Sequence, residues 1–212
     1  MNKVAREPKS EAVDAASTPG VLAHTPRDRI VNAARELFCR DGIHATGIDR
    51  ILAAAGVSKM TLYTRFGSKE ALVRAVLQEE GTAWRDSFFA TLSAASDDPR
   101  GRLRAIVPTL GAWFRSDRFY GCAFMNAVAE HTKGQSDLRA LAAEHHREIL
   151  AFLAEQAAAA GGAEPAVLAR QLLLMIDGMI AAYMVSGDDA VLAIAGRNLD
   201  AVLEKELGPA AG

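Results

Sequence analysis

Residues Thr46 to Glu70 read TGIDRILAAAGVSKMTLYTRFGSKE, and this stretch decides the fold. Ile48, Ile51, Leu52 and Ala55 recur at helical spacing and share one face. Gly56 breaks that helix and Val57 plugs the corner. Ser58 has the side chain that caps a new helix N-terminus. The helix that follows buries Leu62 and Phe66, one turn apart, and turns Lys59, Met60, Thr61, Tyr63, Thr64 and Arg65 outward. An apolar lock beneath a polar outer face is what a helix-turn-helix needs to seat its second helix in a major groove.

Working outward, everything after residue 26 reads as helix. Pro26 suits a first helical turn, with Thr25 as its cap, and Ile30, Ala33, Ala34, Leu37 and Phe38 form one stripe up to about Arg40. Ser68 caps a fourth helix that turns Leu72, Val76 and Leu77 inward. Asp98-Pro99 starts a fifth, which Pro108 is expected to kink. Further helices are expected over 121–132, from Ser136 to just before Gly161, from Pro165 to near Gly187, and from Asp188 to about Leu207. The fold class is therefore all-α with nine helices; period-2 alternation and internal repeats are absent. Residues 1–25 lack periodicity and read as a disordered arm, 26–70 as the helix-turn-helix domain, and 71–212 as a helical body.

The net charge of −2 looks wrong for a nucleic-acid binder until it is split along the chain. Residues 26–67 hold seven basic side chains against four acidic ones, whereas 68–212 carry a balance of −5. A basic head on an acidic body suits a protein whose head alone meets phosphate. Cys39 and Cys122 lie far apart in sequence and read as buried free thiols. The N-terminus is polar and shows no signal peptide. The apolar run 172–185 is interrupted by Asp177 and is short for a bilayer, so a soluble cytoplasmic protein without membrane contact is expected.

The run GVSKMTLYTRFGSKEAL resembles the DNA-binding signature of the TetR family of bacterial regulators. The upstream helix Ile30-Val31-Asn32-Ala33-Ala34-Arg35-Glu36-Leu37-Phe38, the Asp41-Gly42 turn and Thr46 are similar to that family too, so the likeness covers about 27–77, a quarter of the chain. Met60 departs from it, since the family often has a small residue there, and this leaves the base preference open. The resemblance implies phosphate contacts from Tyr63, Lys69 and Thr46, the last at the start of the second helix. With Ser58, Lys59, Met60, Thr61, Thr64 and Arg65, these make up the expected set facing double-stranded DNA. Met60 and the Thr61 methyl are suited to thymine methyls, and Arg65 to a guanine edge or a phosphate.

One such unit makes few contacts, so a dimer on half-sites about one helical turn apart or somewhat more is required. The family resemblance implies a homodimer through the last two helices. The residues agree: Leu172, Leu173, Leu174, Met175, Ile176, Met179, Ile180, Tyr183 and Met184 make one helix apolar nearly all round, and Gly178 and Gly196 allow close approach.

The resemblance also implies a small-molecule effector inside the body, acting as a population shift through the fourth helix. Candidate pocket residues are the aromatics Trp84, Phe88, Trp113, Phe114 and Phe124, then Met175 and Met179, and the polar groups Asn126, Glu130 and Asp177. Asp177 is a charge on the most apolar helix; it needs a partner across the dimer, Arg170 or Arg197, or else a ligand. His131, His145 and His146 lie near Glu130 and Glu144, donors of the kind zinc takes. Adjacent histidines point about 100° apart on a helix, and no spacing matches a metal motif, so neither metal nor cofactor is expected. The alternatives are a helical protein-interaction scaffold and an enzyme with a hydrophobic pocket. No nucleophile–base pairing or phosphate-cradling loop supports the enzyme.

Overall fold

Thr25 and Pro26 open the first helix together. The Thr25 hydroxyl accepts the Asp28 N–H at 3.2 Å, and the Asp28 carboxylate accepts the Thr25 N–H at 3.0 Å, a reciprocal cap. In the computed structural model, which describes residues 25–130 and 136–209, this helix, α1, runs Pro26–Asp41. The expected arm, Thr25 aside, and His131 lie outside the described residues.

The helix-turn-helix follows as α2, Ile48–Ala55, and α3, Lys59–Phe66. Between them Gly56 takes φ +62°, a left-handed conformation in which a side chain is strained, and its N–H reaches back to the Leu52 carbonyl. The Ser58 hydroxyl accepts the Thr61 N–H at 3.2 Å, and the Ser68 hydroxyl accepts that of Ala71 at 3.1 Å to start α4, Lys69–Ala95. Six further helices complete the chain: α5 Pro99–Arg104, α6 Ile106–Phe114, α7 Ala123–Glu130, α8 Ser136–Ala159, α9 Pro165–Ser186 and α10 Ala190–Leu207. No strand occurs among the described residues.

The ten segments correspond to the nine expected helices, because α5 and α6 are halves of the expected fifth. The break falls at Ala105 rather than at Pro108. Pro108 is the third residue of α6, inside the first turn, where backbone N–H groups have no intrahelical partner. The helix therefore breaks upstream of its proline, and α6 absorbs the missing donor.

Two apolar clusters organise the fold. In the first, Ile30, Val31, Ala34, Leu37 and Phe38 of α1 close over Ile51, Ala55 and Leu62. The cluster continues into Leu72, Val73, Val76 and Leu77 of α4, and Phe124, Ala127 and Leu138 seal it from the body. The second joins Phe88 and Leu92 of α4 to Leu103, Leu110, Leu153, Leu172, Ile176 and Leu199. One continuous helix, α4, thus contributes to both.

Helix α9 is long and apolar enough to cross a membrane by length and composition, because its first two turns extend the run 172–185 to 22 residues. Here it buries Leu168, Leu172, Leu173, Ile176, Met179 and Ile180 in the second cluster. Its opposite side is open, with Leu174 75% exposed and Val185 84% exposed.

Candidate nucleic-acid interface and effector cavity

Helix α3 has eight residues and is held by few side chains. Leu62 is wholly buried beneath it. Phe66, expected inside, is only partly buried, with the Arg27 guanidinium 5.8 Å over its ring. Lys59, Met60, Tyr63, Thr64 and Arg65 are exposed, as the spacing required, and Met60 is 79% exposed. Ser58 and Thr61 differ. The Ser58 hydroxyl caps the helix, and the Thr61 hydroxyl lies 2.9 Å from it. Their polar groups are engaged in the cap.

Two further expected contacts lie elsewhere. Thr46 is buried, and its hydroxyl bonds the Gly42 carbonyl at 2.7 Å and the Leu37 carbonyl at 3.3 Å. Helix α2 starts one residue later than the pattern suggested, with Gly47 as its cap, so Thr46 closes the α1–α2 turn instead of facing phosphate. The Lys69 ammonium donates to the Ile43 carbonyl at 2.6 Å, which binds α4 to the same turn. Beside it, hydrogen bonds from Arg40 and Arg50 hold the Asp41 carboxyl down at about 2.

That turn is also gripped from the body. The Glu130 carboxylate, at the end of α7, accepts the Ile43 N–H at 3.1 Å and the His44 N–H at 2.9 Å. The Glu130 carbonyl lies 2.8 Å from His44 Nε2. Glu130 was expected in the effector pocket; it is instead a strut between body and head.

The expected pocket divides into separate places. Trp84, Trp113, Phe124 and Asp177 meet around a partly open cavity of about 50 Å³ lined by α1, α4, α6, α7, α8 and α9. Asn126 and Glu130 border a second cavity of about 30 Å³ between α1, α4 and α7, where the Asn126 amide donates to the Tyr120 carbonyl at 2.9 Å. Phe88 stacks on Trp84 at 4.7 Å but is buried in the core, and Phe114 packs with Phe119 and Tyr183 in the same core. Met175 and Met179 border a groove of about 320 Å³ between α9 and α10. The periodicity marked these residues as inward-facing without specifying what each face meets.

Several residues of the main cavity carried weaker sequence signals. Gly81 lets the Phe124 ring approach α4: a β-carbon there would lie 2.7 Å from it. Arg85 shares the inward stripe of α4 with Leu77, Gly81 and Phe88. A base on an apolar stripe signals a buried partner, and here there are two. Arg85 bonds Glu148 at 2.8 Å and donates to His145 Nδ1 at 2.8 Å. This places the imidazole proton on Nε2. Burial, then the Arg85 charge and then His146 push the His145 pKa down to about 3, so the ring is neutral at physiological pH. Phe124 stacks on it at 4.2 Å.

His146 borders the cavity as well, 3.6 Å from Asp177. Asp177 thus meets His146 rather than Arg170 or Arg197. Burial raises the Asp177 pKa and His146 opposes the shift. The two free cysteines also line this cavity, one from α1 and one just ahead of α7. Burial pushes the Cys39 thiol up to about 11 and raises that of Cys122, so neither is a thiolate at neutral pH.

Comparison with known proteins places these features. The family described as "Bacterial regulatory proteins, tetR family" matches residues 30–76, from α1 into α4. A TetR-family transcriptional regulator from Streptomyces coelicolor superposes with a TM-score of 0.77 at 31% identity, over 86% of this chain and 96% of that one. The transcriptional regulator UidR of Escherichia coli is 41% identical over 58 residues, 27% of this chain and 30% of its own length. The transcriptional activator FasR of Mycolicibacterium smegmatis is 42% identical over 81 residues, 38% of this chain and 36% of its own. The chain thus spans about a third of the length of these two curated relatives.

Proposed function

The chain belongs to the TetR family of bacterial transcriptional regulators, and from that premise we propose that it is a cytoplasmic repressor, a homodimer on a palindromic operator that a small molecule releases. The observation that carries the DNA-binding part is α3, locked below by Leu62 and open above along Lys59, Met60, Tyr63, Thr64 and Arg65. We place the DNA-binding domain at 26–70 and the effector-binding and dimerisation domain at 71–212.

The open side of α9 supports the dimer. Val167, Leu174 and Val185 are exposed there, with Ile194 on α10 and a groove floored by Gly178 and Ala182 between them. Such an apolar strip is costly to leave wet and fits a second copy of the same two helices. The cavity between Trp84, Trp113, Phe124 and Asp177 is the effector site in this reading. At about 50 Å³ it is smaller than a drug-sized ligand needs, so binding must part its walls. The walls include Tyr120–Phe124, which lead into α7 and so to Glu130 on the head. That is a second route to the head beside α4.

The test is fluorescence anisotropy of the full chain on DNA upstream of its own gene, across a salt series, with scrambled DNA as control. Tight, sequence-selective binding whose logarithm falls linearly with log salt is expected. Absence of binding at low salt would overturn the DNA-binding part. A monomer by sedimentation at micromolar concentration would overturn the dimer.

A further inference from the structure

A helix advances about 100° per residue. Measured from the buried Leu62, Met60 lies two residues before and Thr64 two after, so both fall within about 20° of the point opposite the core. They are one turn apart and form the outermost ridge of α3. Lys59 and Arg65 are three residues from Leu62 on either side, only about 60° from the buried line. They stand on the shoulders, where long cationic side chains reach phosphates flanking a groove. Thr61 is on a flank, with its hydroxyl committed to Ser58. The ridge that goes deepest into a major groove therefore carries no charge. Its chemistry is a thioether and a threonine.

Met60 has no packing role that explains it. In the described part of the head only Met60 and Tyr63 are large apolar side chains left exposed, and Met60 is much the more so. The apolar group that a major groove offers is the C5 methyl of thymine. A flexible, polarisable side chain is suited to fit against it.

We infer that the tip of α3 reads a thymine methyl: Met60 packs on the C5 methyl of one thymine in each operator half-site, with Thr64 beside it on the ridge. This rests on the DNA-binding reading above. The hydrogen-bonding edge of that base pair is not what Met60 senses, so uracil in its place keeps every donor and acceptor and loses only the contact.

The experiment selects sites from random duplexes with the full chain. Each thymine of the selected site is then replaced singly by deoxyuridine, and affinities are measured by anisotropy for the wild type, Met60→Ala and Met60→Leu. One position per half-site is expected at which uracil weakens wild-type binding by about fourfold, the worth of one buried methyl. Met60→Ala should bind the two bases equally at that position, and Met60→Leu should still prefer thymine. A selected site with no methyl-sensitive thymine would overturn the inference and leave the DNA reader standing. So would a thymine preference that survives in Met60→Ala. Failure of the selection to converge on any sequence would overturn the underlying DNA-binding reading itself.

Discussion

The head and the body expose opposite chemistry. Around α3 the outward residues are cationic or hydroxylated, with Met60 as the apolar exception. Along α9 and α10 the large apolar residues left exposed are Val167, Leu174, Met184, Val185 and Ile194, among exposed charges such as Arg170, Arg197 and Asp200. The head has small parts, two helices of eight residues each, seated by one or two buried side chains apiece. The body has helices of 22 and 24 residues packed along their length, and the 22-residue α9 keeps surplus apolar surface facing away from the core. The exposed face of α3 and the apolar strip of α9 thus belong to different parts of the chain, and α4 contributes to the apolar cluster beneath each.

The largest effect should come from the head's anchor. Leu62→Ala removes the wholly buried side chain under α3. Deletions of this kind cost about 3 kcal/mol, within a range of roughly 2–5. Chemical denaturation should report that loss, and circular dichroism should show the long helices of the body retained. A change under about 1 kcal/mol would mean that α3 is seated by its neighbours rather than by its core residue.

The second effect belongs to the body's surface. Leu174→Lys places a charge on a side chain that is 75% exposed, so the subunit itself should fold normally. If a second copy covers that strip, dimer dissociation should rise by about a hundredfold, roughly 2.7 kcal/mol. Sedimentation equilibrium reads this directly. An unchanged dimer would show that the strip serves something else.

The two regions were also unequally legible. The head could be read from local signals: Thr25 and Pro26 at its start, Gly56 at the corner, Ser58 and Ser68 as caps. Each acts within a few residues of itself. Thr46 shows the limit of such signals, because a threonine just ahead of a helix serves equally to cap it or to close the preceding turn. What decided was the Gly42 carbonyl at 2.7 Å, a tertiary detail. In the body the helices were legible and their meetings were not. Met175, Met179 and Asp177 share α9, yet the methionines border its groove with α10 while Asp177 meets His146 on α8. Periodicity gives the inward faces of a helix; which neighbour each face meets depends on packing angles that no single helix encodes. Arg85 was the signal passed over, a base on an apolar stripe that led to His145.

His145 gives the body an acid sensitivity. Its pKa is about 3 in the fold against an ordinary histidine's 6.5, so the folded state resists a proton that the unfolded state accepts. The stability from this group is fully present above about pH 6.5 and is lost progressively as pH falls toward 3. At pH 5 the loss is about 2 kcal/mol. His145→Gln can still accept from Arg85 but does not titrate, so its stability should vary less than the wild type's between pH 7 and 5. Parallel stability curves for the two proteins would place the acid sensitivity in other groups.

The smallest effect tests whether head and body are separable at all. Glu130 accepts the Ile43 and His44 N–H groups at 3.1 and 2.9 Å across the seam. Charge-assisted bonds of this kind are worth up to about 3 kcal/mol each when buried. Here Glu130 is half-buried and His44 is exposed, so water replaces much of what is lost. Glu130→Ala should therefore cost only about 1 kcal/mol in global stability. Its local consequence should be larger in kind: the Ile43 and His44 amides lose their acceptor, and their hydrogen exchange should speed up while that of the α8–α9 core amides hardly changes. Lys69 still holds the Ile43 carbonyl and Thr46 that of Gly42, so the turn should loosen without unfolding. Unaltered exchange at both amides would mean that Glu130 does not hold the turn, leaving its carboxylate no part in passing a signal from the cavity to the head.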